Sequence, residues 1–188
     1  FPLIIYLGKR SLVAFDEGFY AIQSQNILNT NNWIGPMWFD QLSTDRTIGI
    51  QSLLAISQKI FGESLFALYL PITLSAIFIL FCTYHLHKEL IKDKNQIAST
   101  IILSTTFLWI TYAHMATQDI VYSAMIAIGL ISSIKSYKTN NIFFLILSGS
   151  WIGLAVMLKT YLTVIPLIAI FPFLLKSKIY QNRYFWLG

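Results

Sequence analysis

The sequence predicts an all-α integral membrane protein with about six transmembrane helices. Of its 188 residues, 56% are hydrophobic and only 11% are charged, whereas soluble domains carry roughly 25% charged residues. The apolar residues form long runs, and short loops rich in Lys and Arg separate these runs, as in membrane-spanning helices. The net charge of +5 therefore reflects membrane topology, and we expect no nucleic-acid partner.

Five complete apolar runs predict transmembrane helices two to six within residues 64–188. They cover residues 65–86, 97–113, 120–134, 142–158 and 161–175. A span needs about 20 residues, so residues 1–7 predict only the end of a first, truncated helix. We therefore expect residues 1–188 to be the N-terminal part of a longer transmembrane domain whose C-terminal remainder is missing.

Residues 8–63 are too polar for a span and predict a first external loop with amphipathic surface helices. Residues 17–29 predict a short helix, because the acids at its start favour a helix N-terminus and turn formers follow it. Residues 33–44 predict a loop. Residues 48–61 place apolar side chains on one helical face, which is typical of a helix lying on the membrane surface.

The charged residues divide the loops into two sets. One set carries eight Lys or Arg residues and two acids, and the other carries five Lys or Arg residues and six acids. Because Lys and Arg are enriched in cytoplasmic loops, we expect the second set on the non-cytoplasmic face. This face then holds the candidate functional residues, which are Asp16, Glu17, Arg46, His114, Asp119 and Lys159.

Asp16 and Glu17 stand close to the end of an apolar run. Carboxylates in such a place are costly unless they meet water, a cation or a substrate, so we interpret them as the working end of a membrane enzyme. The competing interpretation is that they only stabilise a helix N-terminus. The sequence contains no Gly-rich phosphate loop, HExxH motif or nucleophile elbow, and its single cysteine, Cys82, predicts neither a disulfide framework nor a metal cluster.

The chain resembles the GT-C glycosyltransferases, in particular the protein O-mannosyltransferases and the lipid A aminoarabinose transferases. The resemblance runs over essentially the whole chain, on four features in the family's order. These are the Asp16-Glu17 pair, Asp45-Arg46-Thr47-Ile48-Gly49 with Phe61-Gly62-Glu63-Ser64 after the amphipathic helix, Ala116-Thr117-Gln118-Asp119, and the segment from Gly153 to Thr160. An arginine that the family often has before the proline of the second span appears here as Tyr69 or Leu70.

The resemblance implies a membrane glycosyltransferase that uses a sugar linked to a polyprenyl phosphate. The acceptor would be a lipid, a protein or a glycan, on the non-cytoplasmic face of a bacterial inner or plasma membrane. Asp16 would act as the general base, and Arg46 and Lys159 would bind the leaving phosphate. Glu17 would support catalysis by holding Arg46 or a metal, or would serve as a first-turn partner of the helix dipole.

Alternatives stay open for the remaining residues. Asp119 and Asp16 would bind a divalent cation through oxygen ligands, or Asp119 would be the N-cap of the next helix. His114 would contact a phosphate or a metal, or would only be a polar residue at the interface. Lys159 would bind phosphate, or its chain would extend to the lipid headgroups.

Two other functions compete with the transferase. A transporter or channel fragment with external cation-binding acids predicts helices that are broken within the membrane. A non-catalytic GT-C-like scaffold predicts the same fold without activity.

Overall fold

The computed structural model describes residues 3–5, 7–13, 15–38, 41–43, 46–91 and 95–188. Asp45 and three residues of segment 1–7 (1, 2 and 6) lie outside these ranges. Over the described residues the chain is mostly helical with almost no sheet, which confirms the predicted all-α class. The α-helices are α1 (Asp16–Thr30), α2 (Gly49–Phe61), α3 (Leu65–Leu90), α4 (Gln96–Thr105), α5 (Phe107–Ala113), α6 (Gln118–Thr139), α7 (Ile142–Lys159) and α8 (Val164–Ser177). Two 3₁₀ turns cover Thr160–Thr163 and Ile179–Gln181.

The chain divides into two compact units. The first comprises Phe1–Ile77 and Ser104–Val121, and the second comprises Phe78–Leu103 and Tyr122–Gly188. The candidate residues of the N-terminal region and those after α5 therefore belong to the first unit.

The helix predicted at residues 17–29 is confirmed as α1, which begins one residue earlier. Asp16 and Glu17 occupy its first turn, and Asn31 ends it in the left-handed conformation at φ 55°. Asn tolerates this conformation better than most residues. The predicted helix at 48–61 is likewise confirmed as α2, which packs against α1 and buries Ile50 and Leu54 completely.

The segment predicted as a loop at 33–44 contains a short antiparallel hairpin. Strand β1 (Met37–Trp38) pairs with strand β2 (Gln41–Leu42). Strands of two residues are too short to show the alternation of apolar and polar residues that predicts a strand. The hairpin is attached to α1, because Asn26 Nδ2 donates to the Met37 carbonyl at 3.2 Å.

In the described part of the chain, three helical stretches are long and apolar enough to cross a membrane, namely α3, α6 and the continuous stretch Ile142–Ser177. The run predicted at 97–113 is broken at Thr106 into α4 and α5, which qualify as a span only together. The described residues of segment 1–7 form turns, so they do not show the expected helix end. The chain is an integral membrane protein, and its number of spans stays a prediction.

The stretch Ile142–Ser177 reverses direction within itself. Trp151 and Ala155 pack with Ile170 in one buried cluster. In a straight helix Ala155 and Ile170 would be about 22 Å apart, so α7 and α8 form an antiparallel pair. The reversal occurs at Thr160, whose φ is 43°, as expected from the two separate apolar runs.

Helix α6 is longer than the apolar run that predicted it. It extends over 22 residues rather than the run at 120–134, because polar residues at its end stay helical. Ser133 and Ser136 donate their hydroxyls to carbonyls three or four residues earlier in the helix, which hides their polar groups.

Candidate active site at the start of α1

The two acids at the start of α1 point to different partners. Consecutive helical residues are about 100° apart around the axis. Asp16 faces Arg46 from the segment before α2, and Glu17 faces Arg10 from the segment before α1. The two neighbouring carboxylates therefore form ion pairs with different arginines.

Asp16 and Arg46 form a partly exposed ion pair. Arg46 Nη2 lies 2.7 Å from Asp16 Oδ1, and 49% of the Asp16 side chain and 29% of the Arg46 side chain are exposed. Arg46 Nη1 also donates to the Tyr20 hydroxyl. Its guanidinium lies 5.2 Å from the ring centroid of Phe19 and 4.9 Å from that of Tyr20. Three side chains of α1 thus hold Arg46 in place while both charges keep access to solvent.

The surroundings keep Arg46 charged and Tyr20 neutral. Burial lowers the pKa of Arg46, but the hydrogen bonds to Asp16 and Tyr20 outweigh this effect and raise it. Burial is the main cause of the raised pKa of Tyr20, and the negative charges of Asp16 and Asp119 raise it further. The Asp119 carboxylate is therefore close enough to act on the residues around Arg46.

Glu17 is fully buried and accepts hydrogen bonds from several parts of the first unit. Its Oε1 lies 2.6 Å from Arg10 Nη2 and 2.7 Å from the Ala116 amide nitrogen. Its Oε2 lies 2.5 Å from the Val13 amide nitrogen, with a longer contact of 3.5 Å to the Tyr69 hydroxyl. Glu17 thereby connects the start of α1 to α3 and to the segment after α5.

The expectation that Glu17 holds Arg46 is wrong, since Asp16 makes that contact and Glu17 pairs with Arg10 instead. The physical reason is the angle between consecutive helical residues. Of the two acids, Asp16 is therefore the one that can contact a substrate.

Sequence reasoning missed Arg10. Its Nη2 also donates to the His114 carbonyl at 2.7 Å and to the Tyr69 hydroxyl at 3.2 Å. One sequence feature could have indicated this role of Arg10. The family that the chain resembles often has an arginine where this chain has Tyr69. Arg10 brings a guanidinium to within 5.4 Å of the Tyr69 ring centroid.

His114 and Asp119 lie on either side of the segment that Glu17 holds. His114 Nδ1 is 2.8 Å from the Ile110 carbonyl oxygen, so this nitrogen carries the proton. Asp119 Oδ2 accepts from the Thr117 hydroxyl at 3.1 Å. Asp119 is the second residue of α6 and lies in its first turn, so the interpretation of Asp119 as the N-cap is wrong.

Lys159 is the last residue of α7, at the reversal that leads into α8. Its Nζ lies 5.6 Å from the ring centroid of Tyr122. It belongs to the second compact unit, and its contact with a phosphate stays a prediction.

A pocket of about 490 Å³ opens beside the Asp16–Arg46 pair. Its described lining is mostly apolar and includes the cation Arg46, with Phe15, Gly18, Phe19, Ile22 and Trp38. The rings of Phe19 and Trp38 stack with centroids 4.5 Å apart, which joins α1 to the hairpin. An apolar cleft with a cation at its edge suits a ligand with an anionic head and an apolar tail.

The described residues contain no group of three or more His, Cys, Asp or Glu side chains that could hold a metal ion. Asp16 and Asp119 would supply only two carboxylate ligands. The third charged group near them, Arg46, is a cation. A divalent cation at this site stays a prediction.

Comparisons with known proteins assign the chain to a protein family of the GT-C class. The model of the family described as dolichyl-phosphate-mannose-protein mannosyltransferase matches residues 45–188, and the chain belongs to this family. The resemblance inferred from the sequence is thereby confirmed.

The relatives are longer than this chain. The undecaprenyl phosphate-alpha-4-amino-4-deoxy-L-arabinose arabinosyl transferase of Wigglesworthia glossinidia brevipalpis is 29% identical over 189 residues, which cover 96% of this chain and 33% of that protein. An uncharacterized protein of Aquifex aeolicus is 27% identical over 132 residues, which cover 68% of this chain and 26% of that protein. The chain thus spans about a third of the first of these relatives and about a quarter of the second.

The fold also matches a solved structure. ArnT from Cupriavidus metallidurans in the apo state superposes with a TM-score of 0.83 at 14% identity, over 98% of this chain and 37% of ArnT. The structure of the same protein bound to undecaprenyl phosphate gives a TM-score of 0.82 at 15% identity, over 94% of this chain and 34% of ArnT. This similarity confirms the fold.

Proposed function

We propose that this chain is part of a membrane glycosyltransferase that moves a sugar from a polyprenyl-phosphate donor to a lipid, protein or glycan acceptor. The observation that carries the proposal is the exposed Asp16–Arg46 pair at the edge of the apolar pocket. Membership of the mannosyltransferase family supports it. It is also supported by a relative named undecaprenyl phosphate-alpha-4-amino-4-deoxy-L-arabinose arabinosyl transferase and by a fold neighbour whose crystal structure contains bound undecaprenyl phosphate.

In the proposed reaction, Asp16 acts as the general base. It takes the proton of the acceptor hydroxyl while the acceptor oxygen forms a bond to the anomeric carbon of the sugar. The bond between that carbon and the phosphate oxygen breaks, and the electron pair leaves with the polyprenyl phosphate. The half-exposed Asp16 side chain is accessible to such an acceptor.

Arg46 stabilises the negative charge that develops on the leaving phosphate. A guanidinium has five N–H donors, and Asp16 and Tyr20 use two of them. No other described residue accepts from the remaining donors, so phosphate oxygens can do so. A contact that strengthens as charge develops lowers the barrier. Lys159 is the second proposed phosphate ligand.

Glu17 has a positioning role in this proposal. Because its side chain has no exposed surface, it acts through Arg10 and the Ala116 amide rather than on a substrate. Asp119 and His114 are proposed to contact the substrate, or a divalent cation shared with Asp16, from the segment that Glu17 fixes. We further propose that the site faces the non-cytoplasmic side, as the distribution of Lys and Arg predicts.

The test is an Asp16→Asn variant of the full-length protein, assayed for transfer from a labelled polyprenyl-phosphate sugar. Loss of the base should lower the rate by about 10²–10⁴-fold. A Glu89→Gln variant, which removes a carboxylate paired with Lys138 in the second unit, should transfer at the wild-type rate. Wild-type activity in the Asp16→Asn variant would exclude Asp16 as the base, and an inactive wild type would favour the scaffold.

The break at Thr106 is a feature that a transporter also predicts. Membership of the mannosyltransferase family favours the transferase over this alternative. Cation flux into proteoliposomes that depends on Asp16 would instead support the transporter.

A further inference from the structure

A second pocket, of about 370 Å³, lies at the C-terminal ends of α1 and α2. Its lining residues are Leu28, Asn31, Trp33, Gln58, Lys59, Gly62 and Glu63, and we call it the Trp33 pocket. Along α1, Leu28 is about 18 Å from Asp16. The Trp33 pocket is therefore separate from the candidate active site.

The Trp33 pocket lies where the chain enters the membrane. Gly62 and Glu63 line it, and the apolar helix α3 begins two residues later at Leu65. Ile60 and Phe61, beside Lys59 at the end of α2, are 66% and 55% exposed. Apolar side chains exposed next to the start of a span belong at the level of the lipid headgroups, and Trp is enriched at that level.

The Trp33 pocket presents both signs of charge. Lys59 and Glu63 are four residues apart in the sequence and both line the pocket, yet they make no ion pair with each other among the described residues. The Lys59 ammonium lies 5.8 Å from the ring centroid of Trp33. The indole is held in place, because Trp33 Nε1 donates to Asn31 Oδ1 at 2.9 Å. A ligand with a cation and an anion a few ångströms apart would satisfy both charges.

A buried amide adds a hydrogen-bond donor to the same pocket. Gln58 is 2% exposed, and its Oε1 accepts from the Ser24 hydroxyl at 3.2 Å. Among the hydrogen bonds of the described residues, none has Gln58 Nε2 as its donor. A ligand oxygen in the pocket can accept from this amide.

We propose that the Trp33 pocket binds the headgroup of a zwitterionic phospholipid of the phosphoethanolamine type. The phosphate accepts hydrogen bonds from the Lys59 ammonium and the Gln58 amide. The ethanolamine ammonium donates to Glu63, and the Trp33 ring packs against the headgroup at the membrane interface. The acyl chains continue along the exposed Ile60 and Phe61 into the bilayer.

This lipid class fits better than the alternatives. An anionic headgroup without an amine would leave Glu63 beside a negative charge. A neutral sugar would stack on Trp33 but would leave Lys59 and Glu63 without charged partners. The proposal does not depend on the transferase activity.

The experiment is native mass spectrometry of the full-length protein purified in detergent, titrated separately with a phosphatidylethanolamine and a phosphatidylglycerol of the same acyl chains. Wild-type protein should retain one phosphatidylethanolamine with roughly tenfold higher affinity than phosphatidylglycerol. Lys59→Gln and Glu63→Gln should each remove most of this preference, because each removes one charge-assisted contact. The control is Lys176→Gln, which removes an exposed cation of α8 and should keep the preference for phosphatidylethanolamine.

A Trp33→Leu variant and a sugar competition complete the test. Trp33→Leu should weaken phosphatidylethanolamine binding with a smaller loss than either charge removal. Equal retention of the two lipids by wild-type protein, or a preference unchanged in Lys59→Gln and Glu63→Gln, would overturn the proposal. Displacement of the bound lipid by millimolar methyl mannoside would also overturn it and would assign the pocket to a carbohydrate.

Discussion

Arg10 and Glu17 form an ion pair of 2.6 Å in which the carboxylate is completely buried and the arginine is 41% exposed. The pair anchors the first turn of α1 at Glu17, the residue that follows Asp16. It also ties α1 to the segment before Asp119, because Glu17 accepts from the Ala116 amide. The geometry of the candidate active site therefore depends on two residues that do not face the pocket beside Arg46.

Removal of Arg10 should destabilise the protein. Arg10→Met leaves the Glu17 carboxylate buried without its cation, which should lower the free energy of unfolding by about 2–3 kcal/mol, below the cost for a fully buried pair because Arg10 is partly exposed. Thermal unfolding of the purified protein in detergent measures the loss. Lys176→Met, at an exposed cation of α8, should leave the unfolding temperature unchanged.

A second substitution separates the buried charge from loss of packing. Arg10→Met/Glu17→Gln removes the charge and keeps one oxygen, which can accept from either the Val13 or the Ala116 amide, whereas these amides bind different oxygens of Glu17. This double variant should be more stable than Arg10→Met alone. If the two are equally stable, the unpaired charge is not the cause of the loss.

The residue before the acids, Phe15, has a backbone conformation that favours glycine. Its φ is 83° and its side chain is 88% exposed, so little packing compensates for the strain. Non-glycine residues in such regions cost about 1–3 kcal/mol. Phe15→Gly should therefore be more stable than Phe15→Ala by about 1 kcal/mol, measured by chemical denaturation in detergent.

The two Phe15 variants also test the pocket. Both remove the ring that lines the cleft beside Arg46, so both should weaken binding of a polyprenyl-phosphate donor to a similar extent. An Ala variant as stable as the Gly variant would show that position 15 is not strained. Unchanged donor binding in both would exclude the ring from the donor site.

The helices could largely be predicted because they depend on local patterns. The apolar runs predict α3 and α6–α8, and the charge at residues 16–17 together with the apolar face at 48–61 predict α1 and α2. Arg10 could not be assigned in this way, since its hydrogen-bond partner Tyr69 is 59 residues away in the sequence. No periodic pattern relates residues at such distances.

The break in the run at 97–113 was missed for a related reason. An apolar run shows which residues prefer the membrane. It does not show that the helix ends at Thr106, because threonine within such a run does not by itself predict a helix end. Its extended conformation, φ −68° and ψ 121°, ends α4. Asp16 and Arg46 form an ion pair, and the membrane face that the charges assign to them stays a prediction. The different partners of Asp16 and Glu17 could be found only from the three-dimensional path of the chain.

Tyr20 should make the protein sensitive to alkaline pH. Burial raises the pKa of its phenol above the ordinary value of 10.0. The folded state then keeps this proton at a pH where the unfolded state has lost it, so stability is complete below about pH 10 and falls as pH rises further. Tyr20→Phe lacks the titrating group, and its unfolding temperature should fall less steeply between about pH 9 and pH 11.

The control for this pH dependence is Tyr161→Phe, because the Tyr161 side chain is 77% exposed. Tyr161→Phe should reproduce the wild-type slope. Only the slopes are compared, since Tyr20→Phe also removes the hydroxyl that accepts from Arg46 and should be less stable at neutral pH. Equal slopes in Tyr20→Phe and wild type would contradict the assignment.

Two glycines in the second unit should respond to alanine in opposite ways. A Cβ at Gly129 would lie 2.4 Å from Trp151 Cγ, whereas a Cβ at Gly153 would meet nothing within 4 Å. Trp151 is 2% exposed and packs with Ala155 and Ile170, so its ring has no room to move away. Gly129→Ala should therefore destabilise the protein by about 1–3 kcal/mol through overpacking. Gly153→Ala should be neutral or stabilise it by up to about 1 kcal/mol, because alanine favours the helix.

Thermal unfolding of both variants in the same detergent measures the difference. A Gly129→Ala protein as stable as Gly153→Ala would show that the Gly129–Trp151 contact does not limit packing in the second unit.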